Sequence, residues 1–314
     1  MTVAAPRSPR FSPAVKALLL AAGLCALAVT PAAAAAPAAA EVGRQAFDFV
    51  DAFAAPTPKI NQIARWSGSV CVQVTGLAPD KASVIQGRVE DVAKAVGLKI
   101  TPAGCKPNIQ IVFSGEPQKV IDDVFAKNEV LLGYYHRSDR NLRVVTQPIQ
   151  AWYATATAGG AGPNAGMAFS AASSDVGSTG VQGGQTLNAV LDSPDSHPPT
   201  GCGDSHFSAC LRSVFENVLV VVDLKKVKQN VGVISDYVTV LALAQPRSLE
   251  GCKALPSITD LFASCPGRAA PDQLTPADAA YLTALYQIDP EAKKAVQQGD
   301  LANRMTKMLA ANGG

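Results

Sequence analysis

The sequence predicts an α+β domain in which a twisted mixed sheet of four or five strands packs against a buried central helix and a helical C-terminal part. A strand–helix–strand pattern occupies residues 69–113. An almost wholly apolar stretch at 231–245 follows a hydrophobic strand at 218–223. Six cysteines follow residue 40, an even number that is typical of exported domains stapled by disulfides.

The first forty residues have the features of a secretory signal peptide. A basic start precedes an apolar run over residues 17–29, and an Ala-rich stretch with A-x-A spacing predicts cleavage between residues 34 and 40. The apolar run is shorter than the roughly 20 residues of a membrane span. We therefore expect an exported protein, periplasmic or extracellular, that is not an integral membrane protein and has one domain at 41–314.

The charge balance excludes some classes of partner. Of the 27 basic residues three lie in the signal, so the mature chain carries 24 basic and 25 acidic residues and is close to neutral. It has no strongly basic stretch. We therefore expect neither a nucleic acid nor an anionic membrane surface as its partner.

The cysteines indicate disulfides more than a metal site. Neighbours along the chain would pair Cys71 with Cys105, Cys202 with Cys210 and Cys252 with Cys265, although fifteen pairings of six cysteines are possible. None of these pairs has C-x-x-C spacing, which argues against a redox dithiol or a zinc ribbon.

The first half of the domain begins with a βαβ unit. Alternating apolar residues predict a strand at 69–77, and NIQIVF predicts a second strand at 108–113. Between them an amphipathic helix is expected at 81–96, with Asp80 as its N-cap. Such a unit joins parallel strands by a right-handed crossover.

The middle of the chain predicts a helix, an edge strand and a long loop. The helix is expected at 117–127 and the strand at 144–156, where Pro148 removes a ladder donor and favours an edge position. The Gly-, Ala- and Ser-rich residues 157–185 have no apolar period. Loops of this length are functional or disordered, and we expect a mobile flap.

The last third predicts one strand and several helices. A helical turn is expected at 210–215, ahead of the strand at 218–223 and the central helix at 231–245. Capping patterns follow, in which Ser257 precedes Asp260 and Thr275 precedes Asp278 by three residues. A final helix is expected from Pro290 to about residue 311.

Polar residues interrupt the central helix at helical spacing. Ser235, Asp236 and Thr239 lie near its start, and Gln245 closes it before Pro246. A buried carboxylate needs a partner. We expect Asp236 to pair with an Arg or Lys or to lie at a helix N-terminus, and a general acid or base is the alternative. The two hydroxyls can bond back to carbonyls of the preceding turn.

The C-terminal third resembles the matrixin-type metzincins. In that family of zinc proteases a helix carries H-E-x-x-H-x-x-G-x-x-H, a turn reads S-I-M, and L-T-x-x-D opens a helix that ends in A-L-Y. The matching segments here are Ser235 to Gln245, Ser257 to Thr259, Leu274 to Asp278 and Ala284 to Tyr286. The upstream order of strands and helices is also similar, so the resemblance implies a zincin-like fold.

This sequence departs from the family motif at the residues that bind zinc and act as the general base. The three ligand histidines are replaced by Ser235, Thr239 and Gln245, the general-base glutamate by Asp236, and the turn methionine by Thr259. Zinc prefers His, Cys or carboxylate donors. We therefore expect no metal, no cofactor and no catalysis at this helix, and a vestigial groove that binds an unknown protein or peptide.

The edge strand offers a second element of that groove. In zinc proteases the edge strand pairs with extended substrate, and a binding descendant could keep that mode of recognition. Trp152 and Tyr153 lie on the predicted edge strand, so they are candidate groove residues. The alternative interpretation is that both residues pack within the core or along the edge of the sheet.

Other functions remain open at this point. A hydrolase could use Asp236, His206 or His136 at a site without zinc. Residues 203–206 read GDSH, but adjacent residues cannot converge as a catalytic triad does. A structural envelope protein without a defined ligand is the third possibility. The sequence favours an exported, non-catalytic protease-like scaffold that binds a protein, a peptide or an envelope component.

Overall fold

A computed structural model describes five ranges of the chain, which are 35–102, 104–133, 143–159, 168–169 and 211–312. The predictions for most of the signal peptide, for His136 and His206, and for the Cys202–Cys210 disulfide concern residues outside these ranges. Most of the predicted loop at 157–185 also lies outside them.

A mixed sheet forms the framework, as the sequence predicts. Its strands are β1 (Val72–Thr75), β2 (Ile109–Ser114), β3 (Ile149–Gly159), the two-residue β4 (Ala168–Phe169) and β5 (Leu211–Asp223). Their spatial order is β1-β2-β5-β3-β4. Strands β1, β2 and β5 run parallel, whereas β3 is antiparallel to both of its neighbours.

Six α-helices accompany the sheet in the described part of the chain. They are α1 (Ala35–Phe53), α2 (Pro79–Ala95), α3 (Pro117–Asn128), α4 (Val231–Leu243), α5 (Pro276–Leu285) and α6 (Lys294–Asn312). Short 3₁₀ helices occupy Glu129–Leu132 and Ile258–Phe262. Among the residues described, no helix combines the length and the apolar character that crossing a membrane requires.

The βαβ unit is present with small shifts at its boundaries. Val72 of β1 is paired with Ile109 of β2 in a parallel register, and α2 connects the two strands. Helix α2 begins at Pro79, so Asp80 lies in its first turn instead of at the N-cap. The turn after β1 depends on Gly76, where φ is +85° and an added Cβ would lie 1.9 Å from the carbonyl oxygen of Phe113.

The helical turn predicted at 210–215 is wrong, because β5 already begins at Leu211. Its first half pairs with the end of β3, from Gly159 opposite Leu211 to Ala154 opposite Asn217, with a register shift between Ala154 and Thr155. Strand β3 starts five residues after its predicted start and continues to Gly159, so the first residues of the predicted loop belong to the sheet. This pairing is non-local, and the sequence around residues 210–215 contains no sign of it.

The central strand β5 is buried on both faces over most of its length. On one face Val218, Val220 and Val222 join the main core, which also contains residues of α1, α2, α4, α5 and α6. On the other face Leu219 and Val221 pack against the smaller cluster that α3 and the first 3₁₀ helix contribute to. The period-2 alternation along β5 therefore sends alternate side chains into two separate cores.

Two of the predicted disulfides are confirmed. Cys71 bonds to Cys105 across 34 residues, and Cys252 bonds to Cys265 across 13 residues. The first ties the start of β1 to the loop that precedes β2. The second closes the loop between α4 and α5.

Candidate functional site

Helix α4 occupies the position that the sequence indicates, with every residue from Val233 to Leu243 buried. Asn230 is its N-cap and accepts a hydrogen bond of 3.0 Å from the N–H of Val233. The helix ends at Leu243, and Ala244 is already extended. A helix buried along this length needs partners for its terminal carbonyls, because water cannot reach them.

Three aromatic side chains supply those partners. The Tyr153 hydroxyl lies 2.9 Å from the carbonyl oxygen of Leu241 and 3.0 Å from that of Ala244. The indole N–H of Trp66 donates to Ala242 at 2.9 Å, and the Tyr286 hydroxyl donates to Leu243 at 2.7 Å. These hydrogen bonds fix the C-terminal end of α4 between β3, the segment before β1 and the end of α5.

The hydroxyls at two of the ligand-equivalent positions are used within the helix. Ser235 donates to the carbonyl oxygen of Gly232 at 2.7 Å, and Thr239 donates to that of Ser235 at 2.6 Å. Thr239 is fully buried. Both hydroxyls therefore bond back to carbonyls of the preceding turn, as the sequence analysis states they can.

Asp236 forms an ion pair that joins three elements. One carboxylate oxygen lies 2.5 Å from Nε of Arg88 on α2, and the other accepts the backbone N–H of Leu274 at 2.7 Å. The Asp236 side chain is 9% exposed, whereas that of Arg88 is 40% exposed. The carboxylate therefore connects α4 to α2 and to the segment that leads into α5.

The remaining motif positions lie apart from this ion pair. The Thr259 hydroxyl lies 2.8 Å from that of Ser257 in the buried second 3₁₀ helix. The side-chain oxygen of Gln245 is buried and has no hydrogen-bond partner in the described part of the chain.

The two capping boxes share one buried carboxylate. Asp278 accepts from the Ser257 hydroxyl at 2.6 Å, from the Ile258 N–H at 2.7 Å and from the Thr275 hydroxyl at 2.8 Å. Burial raises the pKa of Asp278, and the hydrogen bond from Ser257 opposes that shift. The sequence predicts each capping pattern separately, whereas their fusion through Asp278 is visible only in the structure.

A second buried charge cluster lies beside the Cys252–Cys265 disulfide. Burial raises the pKa of Asp260 and lowers that of Lys253. Arg268 approaches the Asp260 carboxylate to 3.7 Å. The positive charges of Lys253 and Arg268 lie near the negative charge of Asp260. We therefore interpret this cluster as part of the packing of the loop.

The aromatic pair on β3 does not form one surface. Trp152 is buried on the α3 face with Ile121 and Leu132, whereas Tyr153 reaches the opposite face and caps α4. A Cβ on Gly133 would lie 2.4 Å from the Tyr153 carbonyl oxygen, so the chain also covers β3 closely at this point. The structure therefore places both candidate groove residues in packing roles.

Two open depressions lie near the central helix and the sheet. One, of about 510 Å³, lies between α2 and the N-terminal end of α4, and Arg88, Ser235 and Asp236 are among its lining residues. The other, of about 530 Å³, follows β1 and the loop around Cys105. The predicted site residues are thus divided among a shallow depression, the buried core and the sheet, and only Ser235 and Asp236 line the first depression.

Within the described ranges, no group of three or more His, Cys, Asp or Glu side chains could hold a metal ion. Comparisons of the chain with protein-family models, with curated proteins and with solved structures find no match. The likeness to metzincins therefore rests on the residues and segments quoted from the sequence.

Proposed function

We propose that this chain is an exported, non-catalytic protein with a zincin-like scaffold that binds a protein, a peptide or an envelope component. The observation that carries the proposal is the use of the motif side chains as structural groups. Ser235 and Thr239 donate into their own helix, and the Asp236 carboxylate is paired with the Arg88 guanidinium.

Chemistry at this helix would have to disrupt those contacts. A general base must be free to accept a proton from substrate or water. The Asp236 carboxylate instead accepts one charged and one backbone donor at 2.5 and 2.7 Å. Hydroxyls that donate to helix carbonyls at 2.6 and 2.7 Å are also poor substitutes for imidazole ligands.

The arrangement of the neighbouring elements supports the zincin-like part of the proposal. The strand that precedes α4 lies between a parallel strand and the antiparallel β3, which was expected to be the edge strand. The segments matched to the family's turn and last helix adjoin each other through Asp278. Both features are consistent with a protease framework in which the motif helix has become a packing element.

Metal and peptidase measurements test the proposal directly. The purified mature chain, residues 41–314, would be incubated with Zn²⁺, desalted and analysed for metal, and assayed with a casein substrate in parallel. We expect no stoichiometric zinc and no hydrolysis. Bound zinc that is lost on chelation together with peptidase activity would refute the proposal.

The Asp236→Asn variant distinguishes a non-catalytic scaffold from a hydrolase that uses Asp236. We expect it to lower the stability of the fold, because the ion pair with Arg88 is lost, while binding elsewhere on the protein is kept. A hydrolase that uses Asp236 would instead lose turnover at an unchanged folded fraction. Export is tested by mass spectrometry of the secreted chain, for which we expect an N-terminus that follows cleavage between residues 34 and 40.

A further inference from the structure

The outer edge of β1 is paired with the chain's own backbone only just before the strand, at Val70. Cys71 turns its carbonyl towards β2, where it accepts the N–H of Ile109 at 3.0 Å. Val70 faces the other side, donating to Lys99 at 2.9 Å and accepting from Thr101 at 2.9 Å. Since backbone groups alternate between the two sides of a strand, those of Val72 and Val74 point outward as well.

The chain's own pairing to this edge ends early. By the same alternation the next acceptor for the Val72 N–H would be the Thr101 carbonyl, and no hydrogen bond joins these two groups. In the described part of the chain, Val72 and Val74 have no backbone partner on the outer side. The strand Val72–Thr75 contains neither Lys nor Pro, residues with which many proteins protect an edge from pairing.

A groove of about 530 Å³ runs along this edge. The strand forms one wall, Gln86 and Glu90 of α2 form part of another, and the loop that carries Cys105 closes the rim. The Cys71–Cys105 disulfide holds that loop against the strand. The wall is therefore fixed before any ligand arrives, which lowers the entropic cost of binding.

The groove has one charged side chain among its described lining residues, which is Glu90. Its carboxylate accepts the side-chain N–H of Gln86 at 2.9 Å and is half-buried. Lys99 and Lys106 lie close by in the sequence, but they are exposed and do not line the groove. Charge complementarity therefore favours a cation inside the groove.

We infer that the outer edge of β1 is a strand-addition site for an extended peptide that places a lysine or arginine side chain beside Glu90. This inference rests on the proposed binding function and names its surface and the class of partner. Backbone hydrogen bonds to Val72 and Val74 would supply the pairing, and Glu90 would select the cationic residue.

The probe is a panel of fluorescein-labelled pentapeptides with alternating Val and Thr around a central Lys, measured by fluorescence anisotropy against the mature chain. We expect binding of the Lys peptides, about tenfold weaker binding when Lys is replaced by Glu, and loss of binding when alternate peptide nitrogens are methylated. Failure of every Lys peptide to bind, or equal binding of the methylated ones, would overturn the inference.

Two matched variants localise the site. Glu90→Gln removes the charge in the groove, and we expect about tenfold weaker binding of the Lys peptides, whereas Asp91→Asn, an exposed neighbour on the same helix, should leave binding unchanged. Val74→Pro removes an outward N–H without touching the β1–β2 ladder and should abolish binding. Wild-type affinity in the Glu90→Gln or the Val74→Pro variant would contradict the site.

The outcomes distinguish this inference from the proposed function. Cleavage of the peptide, followed by mass spectrometry, would refute a non-catalytic scaffold, whereas the absence of both binding and cleavage would refute only the edge site. Sedimentation provides the remaining control. A dimer that Val74→Pro dissociates would show that a second copy of the chain occupies the edge, which would also overturn the peptide assignment.

Discussion

Replacing the tyrosine hydroxyl that caps the central helix should weaken the fold measurably. In Tyr286→Phe the carbonyl oxygen of Leu243 loses its 2.7 Å donor, and Leu243 is fully buried, so water has no access to replace it. A buried carbonyl left without a partner costs about 1–3 kcal/mol. For a domain of this size each kcal/mol corresponds to roughly 2–4 °C in Tm. We therefore expect a fall of about 2–12 °C.

Tyr281 provides a control with the same chemical change. Its hydroxyl is buried and has no hydrogen-bond partner in the described part of the chain. Its ring packs edge-on against Phe53 with centroids 4.7 Å apart, and phenylalanine keeps that contact. Removing an unpaired buried hydroxyl relieves a desolvation cost, so Tyr281→Phe should be neutral or stabilising.

Urea denaturation followed by tryptophan fluorescence measures both variants. The chain has two tryptophans, Trp66 and Trp152, and each is 3% exposed, so unfolding moves both into water. A shift of midpoint at constant slope reports a change in the free energy of unfolding. Equal losses in Tyr281→Phe and Tyr286→Phe would refute the assignment of the cost to the capped carbonyl.

The remaining predictions concern a turn and the buried carboxylates. Gly76→Ala should lower the Tm more than Gly97→Ala does. Both glycines have positive φ, but of the two only Gly76 has a carbonyl oxygen 1.9 Å from the position of an added Cβ. Equal falls in Tm would contradict this explanation. Asp278→Asn should lower the free energy of unfolding by about 1–3 kcal/mol, since an amide nitrogen replaces one accepting oxygen. Burial raises the pKa of Asp278, so the folded state binds the proton more tightly than the unfolded state does. The stability due to this group is present at low pH and is lost as the pH rises through the folded pKa. Urea titrations from pH 3 to 7 should therefore show that the difference in the free energy of unfolding between the wild-type protein and Asp278→Asn becomes smaller as the pH rises. A difference that grows with pH would refute the direction of the pKa shift.

The parts of the fold that follow from local patterns could be predicted. The βαβ unit depends on alternating valines and an amphipathic helix, and the two N-caps at Ser257 and Thr275 depend on residues three positions apart. Proximity along the chain also suggested the pairing of Cys71 with Cys105, one of the fifteen pairings that the sequence allowed. The strands, the amphipathic helix and the two caps each have their signal within a short window of sequence, where propensity and spacing decide the outcome.

Contacts between residues far apart along the chain leave no local pattern in the sequence. Residues 211–217 form a strand because the end of β3 lies beside them, although their local sequence suggests a helical turn. Trp66 and Tyr286 cap the same helix from positions about 220 residues apart, and neither has a local pattern that indicates this role. Single hydrogen bonds of this kind depend on the tertiary arrangement, to which sequence periodicity is insensitive.

The central helix shows why spacing alone leaves its chemistry ambiguous. Positions i and i+4 share a helix face, and this geometry suits two metal ligands and also a hydroxyl that bonds back to the preceding turn. At Ser235 and Thr239 the structure has the second arrangement. Asp236 adds an independent constraint, since its partner Arg88 comes from a helix 148 residues earlier in the chain. The ion pair therefore favours a packing role over a site of proton transfer.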